Sequence, residues 1–439
     1  MPVSPARDAA LDILLRVEQG GFASELLHSD RLDRLSPQDR GLATELVMGV
    51  LRWRSRLDEA IADVSSQKLS KLDPEVLESL RLAAYQIGFL AKIPPHAAVN
   101  DAVELVKRKK KKSAAPFVNA VLRKLLKKKD LVEPLLAPGP KTIPELSALY
   151  AHPLWLVDRW AAQFGLEAAD QICKYNQHVP PTAIHLADQA VEAELANVGI
   201  TLAPGHLLSN ARTVTAGDVT KTLAFTEGRV QIQDEASQLV ALLAGRGQRL
   251  LDCCAAPGGK TAILAERNPQ SEIVATELHP HRAEALRRRL RSRANVTVTT
   301  VDFVQAELPG EFDRILADVP CSGTGTLARN PEIKWRLTAA DLADLHRRQV
   351  AILRAALAKL RPGGRLLYST CSLEPEENQE VIREAAAGFS LQPIADDLAA
   401  LRNEGLLIAD PQQLTEGEFL RILPGRFSTD GFFAAILTR

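Results

Sequence analysis

No charge surplus marks a partner in this sequence: 54 Lys and Arg are balanced by 54 Asp and Glu. Long apolar runs are missing too. The segment QLVALLAG at 238–245 is far short of the ~18–20 residues a helix needs to cross a bilayer. The opening MPVSPARDAALDILL has charges at Arg7, Asp8 and Asp12 where a signal peptide needs an apolar core. Cysteine is scarce and odd in number, with five residues: Cys173, Cys253, Cys254, Cys321 and Cys371. Their spacing fits neither a disulfide framework nor a paired CxxC metal site. A disulfide-stapled secreted domain, a membrane protein and a zinc ribbon are therefore excluded as expectations, and a reducing cytoplasmic setting without a metal is expected.

The chain does have length and helical periodicity. At 439 residues it exceeds one core and predicts two or three domains. Apolar positions recur at helical spacing through the first 130 residues, as in Ala10-Ile13-Leu14-Val17, Leu42-Leu46-Gly49-Trp53 and Val76-Leu80-Ala83-Ala84-Ile87. Val99-Ala102-Val103-Val106 and Val118-Val121-Leu122-Leu125 continue the pattern. Residues 1–130 thus predict an all-helical domain, and the proline-rich stretch 131–150 a linker. Residues 151–235 mix a helical HPLWLVDRW segment with β-leaning pieces such as PTAIHLAD and GRVQIQD, predicting a small α+β middle module. Over 236–439, RLLDCCA, SEIVATEL, VTVTTVD, RILADVP and RLLYSTCS read as strands alternating with helices. This is the pattern of an α/β doubly wound sheet with its ligand site at the strand carboxyl ends. FLRILPG and FFAAILTR close the chain as an antiparallel pair at the sheet edge.

The zero net charge hides an asymmetry. Residues 1–130 contain 23 Lys and Arg against 17 Asp and Glu, and between Leu105 and Lys129 eleven basic residues meet no acidic one. KRKKKK at 107–112 and RKLLKKK at 123–129 read either as a solvated face or as a phosphate track. Arg287, Arg288, Arg289, Arg291 and Arg293 form a second basic run, open to the same two readings.

DCCAAPGGKT at 252–261 ends like a triphosphate loop but cannot be one. Cys254 stands where the first glycine belongs, and Pro257 removes an N–H donor from the cradle. Nor is there a GxGxxG dinucleotide fingerprint, only Gly258-Gly259. S-adenosylmethionine, with no phosphate, suits a flat loop here, and Glu277 ends the second strand where a ribose carboxylate falls. Asp302, at the end of the third strand, can accept from an adenine amino group.

DVPCSGTG at 318–325 and STCS at 369–372 each set a cysteine just past a strand, opening on the same crevice. A lone free cysteine is usually a small buried hydrophobe. Two at strand ends, one near Asp318, suit thiolate chemistry. Methylation at C5 of a pyrimidine needs such a set: a thiolate adds at C6, an acid serves N3, and a base removes the C5 proton so that the thiol can leave. A non-catalytic assembly factor with a lapsed methyltransferase fold is the rival reading, and the joint presence of Asp318, Cys321 and Cys371 weighs against it.

These three motifs, in this order and spacing, resemble those of the RNA cytosine-5 methyltransferases. PPHAAVNDAVELVK, PFVNAVLRKLL, HPLWLVDRW, EGRVQIQDEASQLV and TDGFFAAIL extend the resemblance over the chain, to the bacterial 16S ribosomal RNA branch with a NusB-like N-terminal domain. It implies a NusB-like helical RNA-binding domain, a middle RNA-binding module and a Rossmann-like class I methyltransferase domain with a mixed doubly wound sheet. By the same resemblance Cys371 is the nucleophile, Cys321 the helper in proton removal and release, and Asp318 lies at the cytosine ring close to the methyl donor. Cys254, Ala255, Ala256, Pro257, Gly258, Gly259 and Lys260 wrap the methionine end of S-adenosylmethionine, with Glu277 on the ribose and Asp302 at the adenine. Cys253 and Cys254 become packing residues. The implied partner is 16S rRNA, with cytosine 967 as target, and the protein is expected to be a monomer. His185-Leu186-Ala187 stands where relatives tend to have Arg-x-Asn, so RNA contacts of the middle module do not transfer.

Overall fold

The computed structural model describes residues 3–29, 32, 34–128 and 142–439. They fall into two compact units, one of 1–179 with 327–336 and the other of 180–326 with 337–439.

In the first unit the apolar stripes become helices Pro5–Glu18, Pro37–Val64, Pro74–Phe89, Pro95–Arg108 and Ala115–Leu125. Proline at the first helical position starts four of the five, costing no hydrogen bond there. Ser36 caps the longest of them, its Oγ accepting from Asp39 N at 3.1 Å. Leu11, Leu46, Leu57, Leu80 and Leu122 are fully buried in the shared core. Gly49 belongs to the stripe because helices 37–64 and 74–89 touch there: a Cβ would sit 1.9 Å from the Tyr85 ring.

Three expectations need correction. The part of the linker within the described residues is helical, Ile143–Leu149, with Thr142 as its cap; residues 131–141 lie outside the described ones. Helices Leu154–Phe164 and Leu166–Asn176, read as part of the middle module, pack in the first unit, where Trp160 is fully buried. The basic run 107–112 is partly neutralised, mostly by acids distant in sequence. Lys109 pairs with Asp12, Lys111 with Asp73 at 2.9 Å, Lys107 with Glu104 at 2.6 Å, and Lys128 of the second run with Asp63 at 2.5 Å.

Residues 327–336 complete this unit although they follow the DVPCSGTG motif. Arg52 Nη2 donates to Ala328 O at 2.9 Å and Ala23 N to Glu332 Oε1 at 2.9 Å. Lys334 Nζ donates to Arg52 O at 2.9 Å, Trp335 Nε1 to Leu51 O at 2.6 Å, and Arg336 Nη2 to Val17 O and Gly21 O. Lys334 is only 1% exposed, and burial pushes its ammonium far below the usual lysine range.

The second unit holds two sheets. Strands β1 (Thr182–Leu186), β2 (Thr201–Pro204), β3 (Ala211–Ala216) and β4 (Val230–Ile232) form an antiparallel sheet in the order β2-β3-β1-β4. The larger sheet contains β5 (Arg249–Asp252), β6 (Glu272–Glu277), β7 (Val296–Thr300), β8 (Phe312–Asp318) and β9 (Leu360–Thr370). It continues through β10 (Ser390–Gln392), β11 (Thr415–Glu416), β12 (Phe419–Ile422) and β13 (Phe432–Thr438). The order is β11-β12-β13-β9-β8-β5-β6-β7, with β10 also paired to β13. β5 to β9 run parallel, whereas β13 lies antiparallel to β9, with β12 beyond it. The terminal pair is therefore as expected, with β11 adding a further strand outside it. Alternate side chains feed opposite faces, Leu250, Leu316 and Leu367 on one, Leu251, Ile315 and Tyr368 on the other.

Candidate active site

Because β9, β8 and β5 are parallel neighbours in register, with Asp252 opposite Leu316 and Asp318 opposite Ser369, their carboxyl ends share one edge. The loops holding all three motifs leave from that edge. Gly258 starts the helix Gly259–Arg267 from the left-handed region at φ 98°, where a side chain is strained. A Cβ on Gly259 would meet Gln233 Oε1 at 2.8 Å, so the loop passes close to the β4–helix connection.

A cavity of about 100 Å³ opens here. Of the expected residues, Cys254, Ala255, Ala256, Pro257, Gly259, Lys260 and Asp318 line it. Gln233, Ser237, Asp252 and Arg289 line it as well, and no motif had singled them out for it. Asp252 Oδ2 accepts from Thr261 Oγ1 at 2.7 Å, but its Oδ1 is buried with no hydrogen bond, as is Gln233 Oε1. Two buried acceptors without donors, on one cavity wall, call for a ligand that brings N–H groups. Burial raises the Asp252 carboxyl from 3.8 to about 6. The sign that could have revealed Asp252 is its place as the last residue of β5, beside the loop.

Gly258, Glu277 and Asp302 do not line this cavity. Glu277 is buried and accepts from His279 N at 2.9 Å, at the start of helix Pro280–Arg289, with Arg282 at 3.6 Å. Asp302 is exposed, and its Oδ1 accepts from Val304 N at 3.1 Å.

Asp318 accepts from Lys260 Nζ at 2.7 Å and from Ser369 Oγ at 2.8 Å. Burial alone would lower the Lys260 ammonium, but the Asp318 carboxylate outweighs it and raises the group overall. Cys321 and Cys371, fifty residues apart in sequence, bring their Sγ atoms to 3.3 Å. The bond to Cys371, followed by burial, pushes the Cys321 thiol well above the usual range. Cys253 and Cys254 are raised mainly by burial, as suits inert packing residues.

The two cysteine loops are clamped together by residues that the motifs hid. Glu377, fully buried, accepts from Ser322 N at 2.8 Å, Gln349 Nε2 at 2.9 Å, Ser372 Oγ at 2.5 Å and Ser322 Oγ. Leu373 N donates to Thr324 Oγ1 at 2.9 Å, and Gly325 N to Cys371 O at 2.9 Å. A Cβ on Gly325 would meet Gly431 O at 2.5 Å and Cys371 O at 2.8 Å, so only glycine lets these backbones approach. Four charge-assisted bonds to one buried carboxylate fix the loops more firmly than neutral ones would. Among the described residues no group of three or more His, Cys, Asp or Glu could hold a metal, and no helix is long and apolar enough to span a membrane.

Comparison with known proteins agrees with this geometry. The model of the 16S rRNA methyltransferase RsmB/F family matches residues 239–438, and that of the NusB family residues 4–127. The probable ribosomal RNA small subunit methyltransferase B of Bacillus subtilis is 35% identical, covering 99% of this chain and 98% of its own. Ribosomal RNA small subunit methyltransferase B of Vibrio cholerae is 34% identical, covering 99% and 97%. Among solved structures, PH0851 superimposes with a TM-score of 0.81 over 100% of both chains at 24% identity, which speaks to the fold alone. A methyltransferase homologue from Pyrococcus horikoshii has a TM-score of 0.56 and 27% identity, over 68% of this chain and 99% of that one. A NusB-type helical domain, a methyltransferase domain with a mixed sheet and full-length likeness to named relatives lead to one statement: the chain belongs to the ribosomal RNA small subunit methyltransferase B family.

Proposed function

We propose that this protein methylates C5 of a cytosine in 16S rRNA, cytosine 967, through a covalent adduct between a cysteine and C6. The observation that carries the reading is the pair of thiols 3.3 Å apart at one sheet edge, beside a carboxylate held by Lys260 and Ser369. Amino or hydroxyl methylation would use no thiol.

The methyl donor is S-adenosylmethionine, and the cavity fits its amino-acid end. Asp252 Oδ1 and Gln233 Oε1 are the free acceptors for its ammonium, with loop 254–260 around them. Bound there it supplies an electrophilic methyl group; Glu277 and Asp302 are assigned to its ribose and adenine. The chain's own residues do the rest. Cys371 adds as thiolate to C6, which moves the ring's electrons onto C5 and draws a proton to N3, the position given to Asp318. Cys321 must first give up its own proton to solvent; its thiolate, made strongly basic by this setting, then takes the C5 proton, after which the C6–Sγ bond to Cys371 breaks and the ring is restored. Lys260 holds Asp318 in place and keeps a cation within reach of the Cys371 sulfur.

The test replaces Cys371 with Ala and measures methyl transfer to 16S rRNA. Loss of turnover with donor binding intact is expected; turnover at the wild-type rate overturns the assignment. Bisulfite sequencing of rRNA from cells with and without the protein reads the target position.

A further inference from the structure

The arginine run 287–293 left two readings open, and the fold separates its members. Arg287 turns to the large sheet, donating to Thr300 Oγ1 at 2.7 Å. Arg288, Arg289, Arg291 and Arg293 instead line one wall of a second cavity, of about 560 Å³. Its facing wall is the β4 edge of the small sheet, with Gln231 and the 40%-exposed Ile232, and the turn that precedes it.

Its charge is one-sided. The acid among the lining residues is Glu227, and Arg229 occupies it at 2.7 Å. Arg293 lies 3.5 Å from Glu266, and Arg289 lies 3.4 Å from Gln231 Oε1. Arg288 and Arg291 are exposed, with no hydrogen bond or ion pair among the described residues. Two uncompensated guanidinium groups, with two more weakly held, form a site for a repeating anion.

The cavity also leads somewhere. Ile232 and Arg289 line both it and the smaller cavity that contains Lys260 and Asp318. An extended polyanion lying on the arginines would thus run up to the mouth of the donor cavity, toward Lys260, which interacts electrostatically with Cys371. A base inside a duplex presents no C6 to a thiolate, so the strand that feeds the site is unpaired at the target.

We infer that the groove between the arginine wall and β4 is the track for the phosphate backbone of single-stranded RNA next to the target base. The inference rests on the proposed function for the identity of that base, and gives the small sheet a role that His185 and Ala187 had left open. Arg288 and Arg291 hold successive phosphates, while the exposed face of Ile232 offers an apolar surface for a base.

The experiment uses the full chain with Arg288→Gln and Arg291→Gln combined, and as probe an unstructured oligoribonucleotide, alone or annealed to its complement. Affinity is followed against salt concentration. Each phosphate contact contributes about 0.7 to the slope of log K against log salt for a single strand. The double variant should therefore lose about 1.4 from that slope, keep S-adenosylmethionine binding by calorimetry, and regain the slope as R288K/R291K. An unchanged slope overturns the inference, as does an equal loss confined to the duplex probe. Methyl transfer to 16S rRNA by the wild-type protein is scored separately. Its absence with the slope loss present removes the proposed function and keeps an RNA track; its presence with an unchanged slope does the reverse.

Discussion

Asp252 offers the sharpest test, because its burial has a definite cost. The carboxyl moves from 3.8 to about 6 on folding, which at ~1.36 kcal/mol per pH unit is about 3 kcal/mol. The folded protein binds this proton more tightly than the unfolded chain does. Stability contributed by this group is therefore greatest below pH 4, declines as pH rises from about 4 to about 6, and is level above. Asp252→Asn keeps an acceptor for Thr261 Oγ1 and removes the titration. In urea unfolding without the methyl donor, the variant should match the wild type near pH 4 and exceed it by about 3 kcal/mol at pH 7. With S-adenosylmethionine added the order reverses, since the wild-type carboxylate then meets an ammonium that Asn cannot match. A stability difference that stays constant between pH 4 and pH 7 would refute the reasoning, as would an Asn variant that binds the donor as tightly as the wild type.

Replacing Cys321 with Ala should leave an RNA adduct on Cys371, seen as a shifted band on a denaturing gel, and the band should vanish in the double variant lacking Cys371. Lys260→Met removes a charge-assisted bond to Asp318 worth roughly 1.5–3 kcal/mol, so a radiolabelled methyl-transfer assay should show kcat/KM lower by about 10- to 150-fold. Lys334→Met replaces a buried lysine whose Nζ donates to Arg52 O; denaturant unfolding should show it neutral or more stable by about 1–4 kcal/mol at pH 7. That gap should narrow with rising pH, because a depressed lysine favours the wild type as pH approaches the ordinary lysine range. Diamide should couple Cys321 and Cys371 through a disulfide, inactivating the enzyme with loss of two titratable thiols, and dithiothreitol should restore both.

Periodic features were legible in the sequence. Helical stripes such as Val118-Val121-Leu122-Leu125 and the β-α alternation from Arg249 onward carry their own geometry, since a face must be buried wherever its spacing repeats. The motifs placed the thiols and the loop at strand ends, and parallel pairing then sets them on one edge. Less legible was whatever depends on partners distant in the chain. Asp12 and Asp73, which pair with Lys109 and Lys111, lie 97 and 38 residues away, so a local count finds neither of them. Glu377 is one acid among several in EPEEN, and only the fold turns it inward onto Ser322 and Ser372. Gln233 and Asp252 reach one cavity from separate strand ends, and neither residue type announces a ligand alone.

The return of residues 327–336 to the helical unit bears on how the protein is made. A ribosome releases the chain in order, so residues 1–179 emerge without the donors that Lys334 and Trp335 later give to Arg52 O and Leu51 O. At about 5–20 residues per second, the helical unit waits on the order of ten seconds for its last piece. Meanwhile the place of the Trp335 ring beside its core stands open. A fragment ending at Val179 would be arrested in that state, whereas one that supplies 327–336 in trans as a peptide should regain the missing stability.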